Sequence, residues 1–97
     1  MHARVVSMEV LPTDMGEVVR IYQDSVLPAA KEEQGFRGAL MLTDPYTGEG
    51  ISITLWESEE DMDASEASGF YHRKLDALER LFVSAPVRKH YEVSVRE

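Results

Sequence analysis

The chain has 97 residues, no cysteine, a hydrophobic fraction of 43% and a formal net charge of -8. The length suits one small domain, the composition argues against disorder, and the lack of cysteine excludes disulfides and thiolate metal sites. Ten basic residues are scattered among eighteen acidic ones, so neither nucleic acid nor an anionic membrane is an expected partner. With no signal-peptide pattern and no apolar run of membrane length, we expect a soluble cytoplasmic protein.

The first part of the chain predicts a strand and an interrupted helix. Residues 4–11 alternate as a strand, with four side chains on one side: Arg4, Val6, Met8 and Val10. Asp14 and Glu17 have the spacing of a capping box and predict the start of a helix. Pro28 predicts a kink or a restart near residues 26–27, because proline lacks a backbone donor. Gly35 suits the left-handed position that follows a helix end.

A hairpin comes next, with strands over residues 35–43 and 51–58 joined by the turn formers of residues 44–50. Large apolar side chains recur at every second position, which gives the hairpin one strongly apolar face. That face is expected to carry Phe36, Leu40, Leu42, Ile51, Ile53 and Leu55. The other face is mixed, with Arg37, Ala39, Met41, Thr43, Ser52, Thr54 and Trp56.

The last part predicts two helical pieces and a closing strand. Ser58 has the character of a helix cap, and the helix that follows it should reach about Ala67. Ser68 and Gly69 break this helix, and a second piece should cover residues 70–82. Residues 87–95 alternate as a final strand.

The element order is therefore β-α-β-β-α-β, which predicts an α+β ferredoxin-like sandwich with an antiparallel sheet and its helices on one face. The second sheet face still exposes a large apolar area, which favours its burial against another protein surface. Because a twofold interface is self-complementary, a second copy of the same sheet would supply that surface. We expect a homodimer through the sheet face.

Three segments resemble the antibiotic biosynthesis monooxygenase family: Gly35-Phe36-Arg37-Gly38, Leu55-Trp56-Glu57-Ser58-Glu59-Glu60 and the strand over residues 87–95. The resemblance extends from about Val5 to Val95 and implies a dimeric α/β barrel with a single domain over residues 1–97. The family includes cofactor-free oxygenases of polyketide-like aromatics, heme-degrading enzymes, quinol oxygenases and members without assigned activity. Fold alone does not select among these functions.

Heme-degrading members of the family carry a second Trp nine residues after the position of Trp56 and a heme-ligating His ten residues further on. Without gaps, those places hold Ser65 and Leu75 in this sequence. Many other members have His at the place of Ser65, so an acid/base candidate is lost there as well. We expect no heme, and more generally no cofactor.

Three aromatic residues are candidates for substrate binding. Trp56 stands between a strand and a capped helix, where it either packs strand against helix or forms a pocket wall that stacks on an aromatic ligand. Tyr22 and Tyr71 lie on the apolar stripes of the two helical segments. Core packing and contact with a ligand are both consistent with these positions.

Two histidines are candidates for a catalytic base. His72 has Asp76 one helical turn away to orient its imidazole, but a solvent-exposed position on the helix flank is the alternative. His90 alternates with Tyr91 in the last strand and is either a base or an ordinary sheet histidine. The acidic run over residues 57–66 lacks the loop that a hard cation needs, so we predict a solvated helix face and no metal site.

The resemblance implies a cofactor-independent monooxygenase that acts on a small aromatic or polyketide-like molecule. The protein would bind the substrate, remove a proton through His72 or His90, and stabilise the resulting anion for reaction with oxygen. The alternative is a non-catalytic small-molecule-binding or assembly domain of the same fold. A pocket that holds Trp56 and a histidine would favour the enzyme, and a space filled by Leu and Val would favour the alternative.

Overall fold

The computed structural model describes residues 1–97 and contains one four-stranded antiparallel sheet. The strands are β1 (His2–Glu9), β2 (Phe36–Thr43), β3 (Glu49–Trp56) and β4 (Val87–Glu92), in the sheet order β2-β3-β1-β4. The helices are α1 (Met15–Ile21), α2 (Leu27–Ala30), α3 (Glu59–Ala67) and α4 (Phe70–Asp76). This arrangement confirms the predicted ferredoxin-like α+β fold. No helix combines the length and the apolar composition that a membrane span requires.

The helices pack on the sheet face to which the inward side chains of β1 belong. The larger core cluster consists of Val6, Met8, Val10, Met15, Val18, Tyr71, Leu78 and Leu81. A smaller cluster lies at the other end of the sheet and consists of Ala30, Trp56, Met62 and Phe70. The predicted inward side of β1 is therefore confirmed, with Arg4 included among its buried residues.

The strongly apolar face of the hairpin is the face that points away from the helices. Leu40 and Leu42 are about half exposed, whereas Ser52 and Thr54 on the mixed face are buried. Val87 and Tyr91 of β4 are also about half exposed. We call the apolar surface formed by these outward side chains of the sheet the outer face.

Phe36 is an exception to the predicted alternation. The pairing of β2 with β3 shifts by one residue between Phe36 and Gly38, which is the signature of a β-bulge at Arg37. The extra residue returns Phe36 to the helix side, where its ring meets Trp56 edge-on at 5.7 Å between centroids. The expectation that Phe36 shares a face with Leu40 is therefore wrong.

The predicted interruption near residues 26–27 takes the form of a π-helical turn. Residues Tyr22–Val26 form this turn between α1 and α2, and the amide of Leu27 donates to the carbonyl of Tyr22, five residues back. Pro28 follows in the first turn of α2, where a missing N–H is tolerated. The wider turn lets the helix continue past the proline, since π-turns absorb an irregularity without ending a helix.

The cap predictions have opposite outcomes. Ser58 is confirmed as the cap of α3, because its hydroxyl accepts a hydrogen bond from the amide of Asp61 at 3.1 Å. The capping box of Asp14 and Glu17 is wrong, because Asp14 makes no cap hydrogen bond and already lies in a short 3-10 turn, Pro12–Asp14. The carboxylate of Glu17 instead accepts a hydrogen bond from Arg80 at 2.6 Å.

Two predicted elements are shorter than expected. The helix expected over residues 70–82 ends at Asp76 and is followed by a 3-10 turn, Glu79–Leu81, because Phe82 becomes extended and bridges to Val10. The strand expected to reach Val95 ends at Glu92. Its partner β1 begins at His2, which pairs with Glu92, and one further backbone hydrogen bond follows, from the amide of Val93 to the carbonyl of Met1 at 2.9 Å.

Gly35 has φ of 81°, which confirms the predicted left-handed conformation. Its predicted position is wrong, because α2 ends at Ala30 with Lys31 as its cap and Gly35 lies in the turn before β2. An added Cβ there would collide with the side chain of Asp61, whereas an added Cβ at Gly16 in α1 would meet nothing within 4 Å. These two glycines form a matched pair for one measurement.

We expect Gly35→Ala to lower the free energy of unfolding by at least about 1–2 kcal/mol, because alanine is strained in the left-handed region. Gly16→Ala should raise it by roughly 0.5–1 kcal/mol, since alanine favours a helix interior. Urea denaturation of both variants measures the difference. Equal effects of the two substitutions would contradict the assigned backbone conformation at Gly35.

Candidate functional site

A small cavity lies between the sheet and the helices. Its volume is about 60 Å³, enough for roughly two water molecules at their liquid volume. The lining is mostly apolar and contains no acidic residue: Arg4, Val6, Met8, Tyr22, Val26, Leu27, Ala30, Ser52, Thr54, Phe70, Tyr71, Lys74, Leu75 and Leu78. An apolar space with a few convergent polar groups is the usual form of a small-molecule site.

Arg4 is the most unusual residue of the lining, because it is a charged side chain with only 3% exposure. β1 places it on the helix side, between the rings of Trp56 and Tyr71, whose centroids lie 5.2 and 4.7 Å from its guanidinium carbon. Nη1 donates to the hydroxyl of Ser65 at 2.8 Å and to the carboxylate of Glu66 at 3.2 Å. Cation–π contacts and a charged hydrogen bond thus compensate the desolvation of this cation.

Glu66 of α3 contacts two guanidinium groups and one imidazole. Besides Arg4, its carboxylate lies 2.9 Å from Arg88 and 2.9 Å from His90, both on β4. Burial lowers the pKa of Arg4, while the hydrogen bond and the charge of Glu66 act in the opposite direction. The guanidinium stays charged in any case, because arginine does not deprotonate in proteins. Glu66 therefore holds β1, α3 and β4 together around one buried charge.

Two phenols complete the polar part of the cavity. The hydroxyls of Tyr22 and Ser52 are 3.0 Å apart and share a hydrogen bond. Burial raises the pKa of Tyr22 and also that of Tyr71, so both phenols are protonated at neutral pH. Each phenol can therefore donate a hydrogen bond to an oxygen atom of a bound molecule.

Of the five residues proposed from the sequence, Tyr22 and Tyr71 line the cavity, and Trp56 and the two histidines do not. Trp56 has no exposed surface, and its indole N–H donates to Thr54 at 3.0 Å. His72 is exposed, with its ring edge-on to Tyr71 at 5.3 Å between centroids. His90 is connected to the cavity only through Glu66 and Arg4.

One group of side chains has the composition of a metal site. Ligand atoms of Asp63, Glu66 and His90 lie within 4.8 Å of one another. Glu66 already forms ion pairs with Arg4 and Arg88. A divalent cation would have to compete with both guanidinium groups for that carboxylate, so the arrangement favours an ion-pair network over a metal centre.

Arg4 and Lys74 are the site residues that the sequence reasoning missed. The alternation of β1 placed Arg4 on the same side as three core residues. A charged residue in such a series indicates a buried charge, and this was the available signal for Arg4. Its partners Ser65 and Glu66 lie more than sixty positions further along the chain. No local pattern links positions so far apart.

No family model matches the sequence, and no curated protein matches it. Solved structures do match in three dimensions. A monooxygenase from the gene ActVA-Orf6 of Streptomyces coelicolor, in complex with nanaomycin D, has a TM-score of 0.82 and 19% identity and covers 99% of this chain and 89% of its own. SnoaB, a cofactor-independent oxygenase from Streptomyces nogalater, has a TM-score of 0.73 and 14% identity and covers 98% and 94%.

A third structure, of an antibiotic biosynthesis monooxygenase, has a TM-score of 0.76 and 12% identity and covers 98% of this chain and 100% of its own. Proteins of unknown function are also among the matches. The resemblance to the antibiotic biosynthesis monooxygenases is thus confirmed as a likeness of fold over the whole chain. At such identities the match establishes the fold, and function must be argued from the site.

The Glu66 network generates a stability prediction. Glu66→Gln removes the charge opposite Arg4 and should lower the free energy of unfolding by roughly 2–3 kcal/mol, because a buried cation loses its counterion. Glu57→Gln is the matched control, since Glu57 pairs with Arg37 in an exposed position. It should change stability by no more than about 0.5 kcal/mol. Urea denaturation compares the two, and equal losses would contradict the central role of Glu66.

Proposed function

We propose that this protein is a cofactor-independent monooxygenase that acts on a small aromatic or polyketide-like molecule. The observation that carries the proposal is the apolar cavity with the buried cation Arg4 in its lining. A preorganised cation in a dry site stabilises negative charge that develops on a substrate. The fold likeness to ActVA-Orf6 and SnoaB supports the same reading.

The chemistry needs no external reductant. A methylene group that is conjugated with a ketone through aromatic rings loses a proton and becomes a stabilised carbanion, and the carbanion reacts with oxygen. The methylene ends as a carbonyl that keeps one oxygen atom, while the second oxygen atom leaves as water. The substrate supplies all four electrons, so the protein has only to bind it, assist loss of the proton and stabilise the anion.

Each lining group has a role in this proposal. Arg4 faces the enolate oxygen of the deprotonated substrate, and the phenols of Tyr22 and Tyr71 contact the ring and donate hydrogen bonds. Trp56 acts through Arg4, because its ring stacks on the guanidinium and leaves no surface for the ligand. In the proposal it is therefore a positioning residue.

The two histidines have different connections to this site. His90 shares the carboxylate of Glu66 with Arg4, so a change at His90 reaches the cavity through one intermediate group. His72 borders Tyr71 from the solvent side. The shared carboxylate favours His90 as the histidine that influences proton removal.

The volume of the cavity sets a condition on binding. A ring substrate is several times larger than the space of about 60 Å³. Val26, Leu27 and Leu75 are half-buried wall residues. In our proposal these side chains move outward when a substrate enters.

The alternative function is non-catalytic binding of a small molecule by the same cavity. The specific observation in its favour is that the lining contains no histidine and no Trp56. Tyrosine and arginine are sufficient to bind an aromatic molecule without reacting with it.

The enzyme proposal predicts that the protein accelerates the aerobic oxidation of an anthrone to the corresponding quinone. In our proposal one of the two histidines comes within reach of the substrate proton once the wall side chains have moved outward, so loss of that histidine should lower turnover roughly 100- to 10,000-fold. The assay compares His90→Ala and His72→Ala by quinone absorbance. His2→Ala is the matched control, because His2 pairs with the exposed Glu59 away from the cavity and should keep the wild-type rate.

Two results would contradict parts of this proposal. Wild-type turnover in both His90→Ala and His72→Ala would remove the histidine from the mechanism. If neither anthrones nor quinols are oxidised faster than in buffer, the monooxygenase proposal fails and the binding function replaces it.

We also propose that the protein forms a homodimer through the outer face. The support is the row of half-exposed apolar side chains on this face, among them Leu40, Leu42 and Tyr91. Covering such a patch with a second copy removes apolar area from water on both chains at once.

The dimer proposal predicts a mass of about twice the chain mass by light scattering at micromolar concentration. Leu40→Lys places a charge in the proposed interface and should shift the mass toward the monomer. Leu11→Lys is the matched control, because Leu11 is 56% exposed, close to the 55% of Leu40, and lies in the connection between β1 and the first helical turn. A monomeric wild type would refute the proposed interface.

A further inference from the structure

The charge of the cavity is opposite to that of the whole chain. The protein has a formal net charge of -8, yet the only charged residues in the cavity lining are Arg4 and Lys74. Glu66, the one carboxylate that contacts Arg4, is outside the lining and is shared with Arg88. The inner surface of the cavity is therefore positive, and low-dielectric walls strengthen such a field.

Lys74 has no ion pair in the structure. It lies on α4, about one turn after Tyr71, and is half-buried, so it stands where the cavity meets solvent. The residues at helical spacing from it are Phe70, Tyr71, Ala77 and Leu78, none of which is acidic. Its ammonium group is therefore available to a molecule that enters the cavity.

Arg4 also has donors to spare. Both of its hydrogen bonds to protein are donated by Nη1. Nε and Nη2 of Arg4 have no hydrogen-bond partner in the protein, and neither is fully buried, since no fully buried side-chain nitrogen lacks a partner. Because Arg4 lines the cavity, we infer that these donors face it. Three N–H groups of the guanidinium thus remain for a ligand.

We infer that the natural ligand is an aromatic molecule that carries a carboxylate, and that Lys74 is the residue that selects it. Arg4, deep in the cavity, meets the oxygen of the reacting ring, and Lys74, at the entrance, meets the carboxylate. A permanent negative charge on the substrate explains a second cation in a lining that is otherwise apolar. This inference rests on the proposed use of the cavity by a small aromatic molecule and adds its chemical class.

The test uses two probes of nearly equal shape, 2-naphthoate and its neutral analogue 2-naphthamide. Calorimetric titration of the intact protein at neutral pH gives the affinity for each. We expect 2-naphthoate to bind at least about ten-fold more tightly than the amide, which corresponds to one charge-assisted contact.

Lys74→Met keeps an unbranched side chain, one atom shorter, and removes its charge. It should weaken binding of 2-naphthoate by roughly ten-fold and leave binding of 2-naphthamide unchanged. Lys74→Arg keeps the charge and should preserve the preference for the carboxylate. Lys31→Met is the matched control, because Lys31 is exposed and lies outside the cavity lining, so loss of its charge should change neither affinity.

The possible failures are distinct. Equal wild-type affinities for the two probes would overturn the inference and leave the cavity as a site for neutral aromatics. An equal loss in Lys31→Met and Lys74→Met would also overturn it, because the effect would then be that of overall charge. Failure of both probes to bind would overturn the inference together with the proposed function.

Discussion

The buried charge of Arg4 is the constraint on which the rest of the site depends. A cation in a desolvated position needs a counterion, a hydrogen-bond acceptor and polarisable neighbours at the same time. β1 brings the arginine, α3 brings Ser65 and Glu66, and the hairpin and α4 bring the two aromatic rings. Four elements therefore meet at one side chain, and the cavity lies against it.

The fold was largely predictable because its signals are local. Alternation identified the strands and the inward side of β1, Ser58 marked the start of α3, and Gly35 marked a left-handed turn between α2 and β2. The β-bulge at Arg37 was not predictable from alternation, because one extra residue inverts the faces of what precedes it. The capping box failed for a similar reason, since Arg80, far along the chain, takes the carboxylate of Glu17.

The site was less accessible from sequence than the fold. Tyr22 and Tyr71 were found because helical stripes point to the sheet, and the cavity lies there. Trp56, His72 and His90 were chosen for the chemistry of their side chains, and residue type does not say which way a side chain faces. For Arg4 the two signals disagreed. Its charge is typical of surface residues, but its place among the apolar residues of β1 indicated a buried side chain, and the structure agrees with the place.

Trp56 is the single tryptophan of the chain, it is completely buried, and its ring lies against the guanidinium of Arg4. The protein thus contains one intrinsic fluorophore, placed in the first layer behind the cavity. Indole emission responds to nearby charge, so anything that moves or neutralises Arg4 alters one spectral band with no competing tryptophan signal. The packing that hides this ring from ligands also makes it an optical reporter of the cavity, with no label attached.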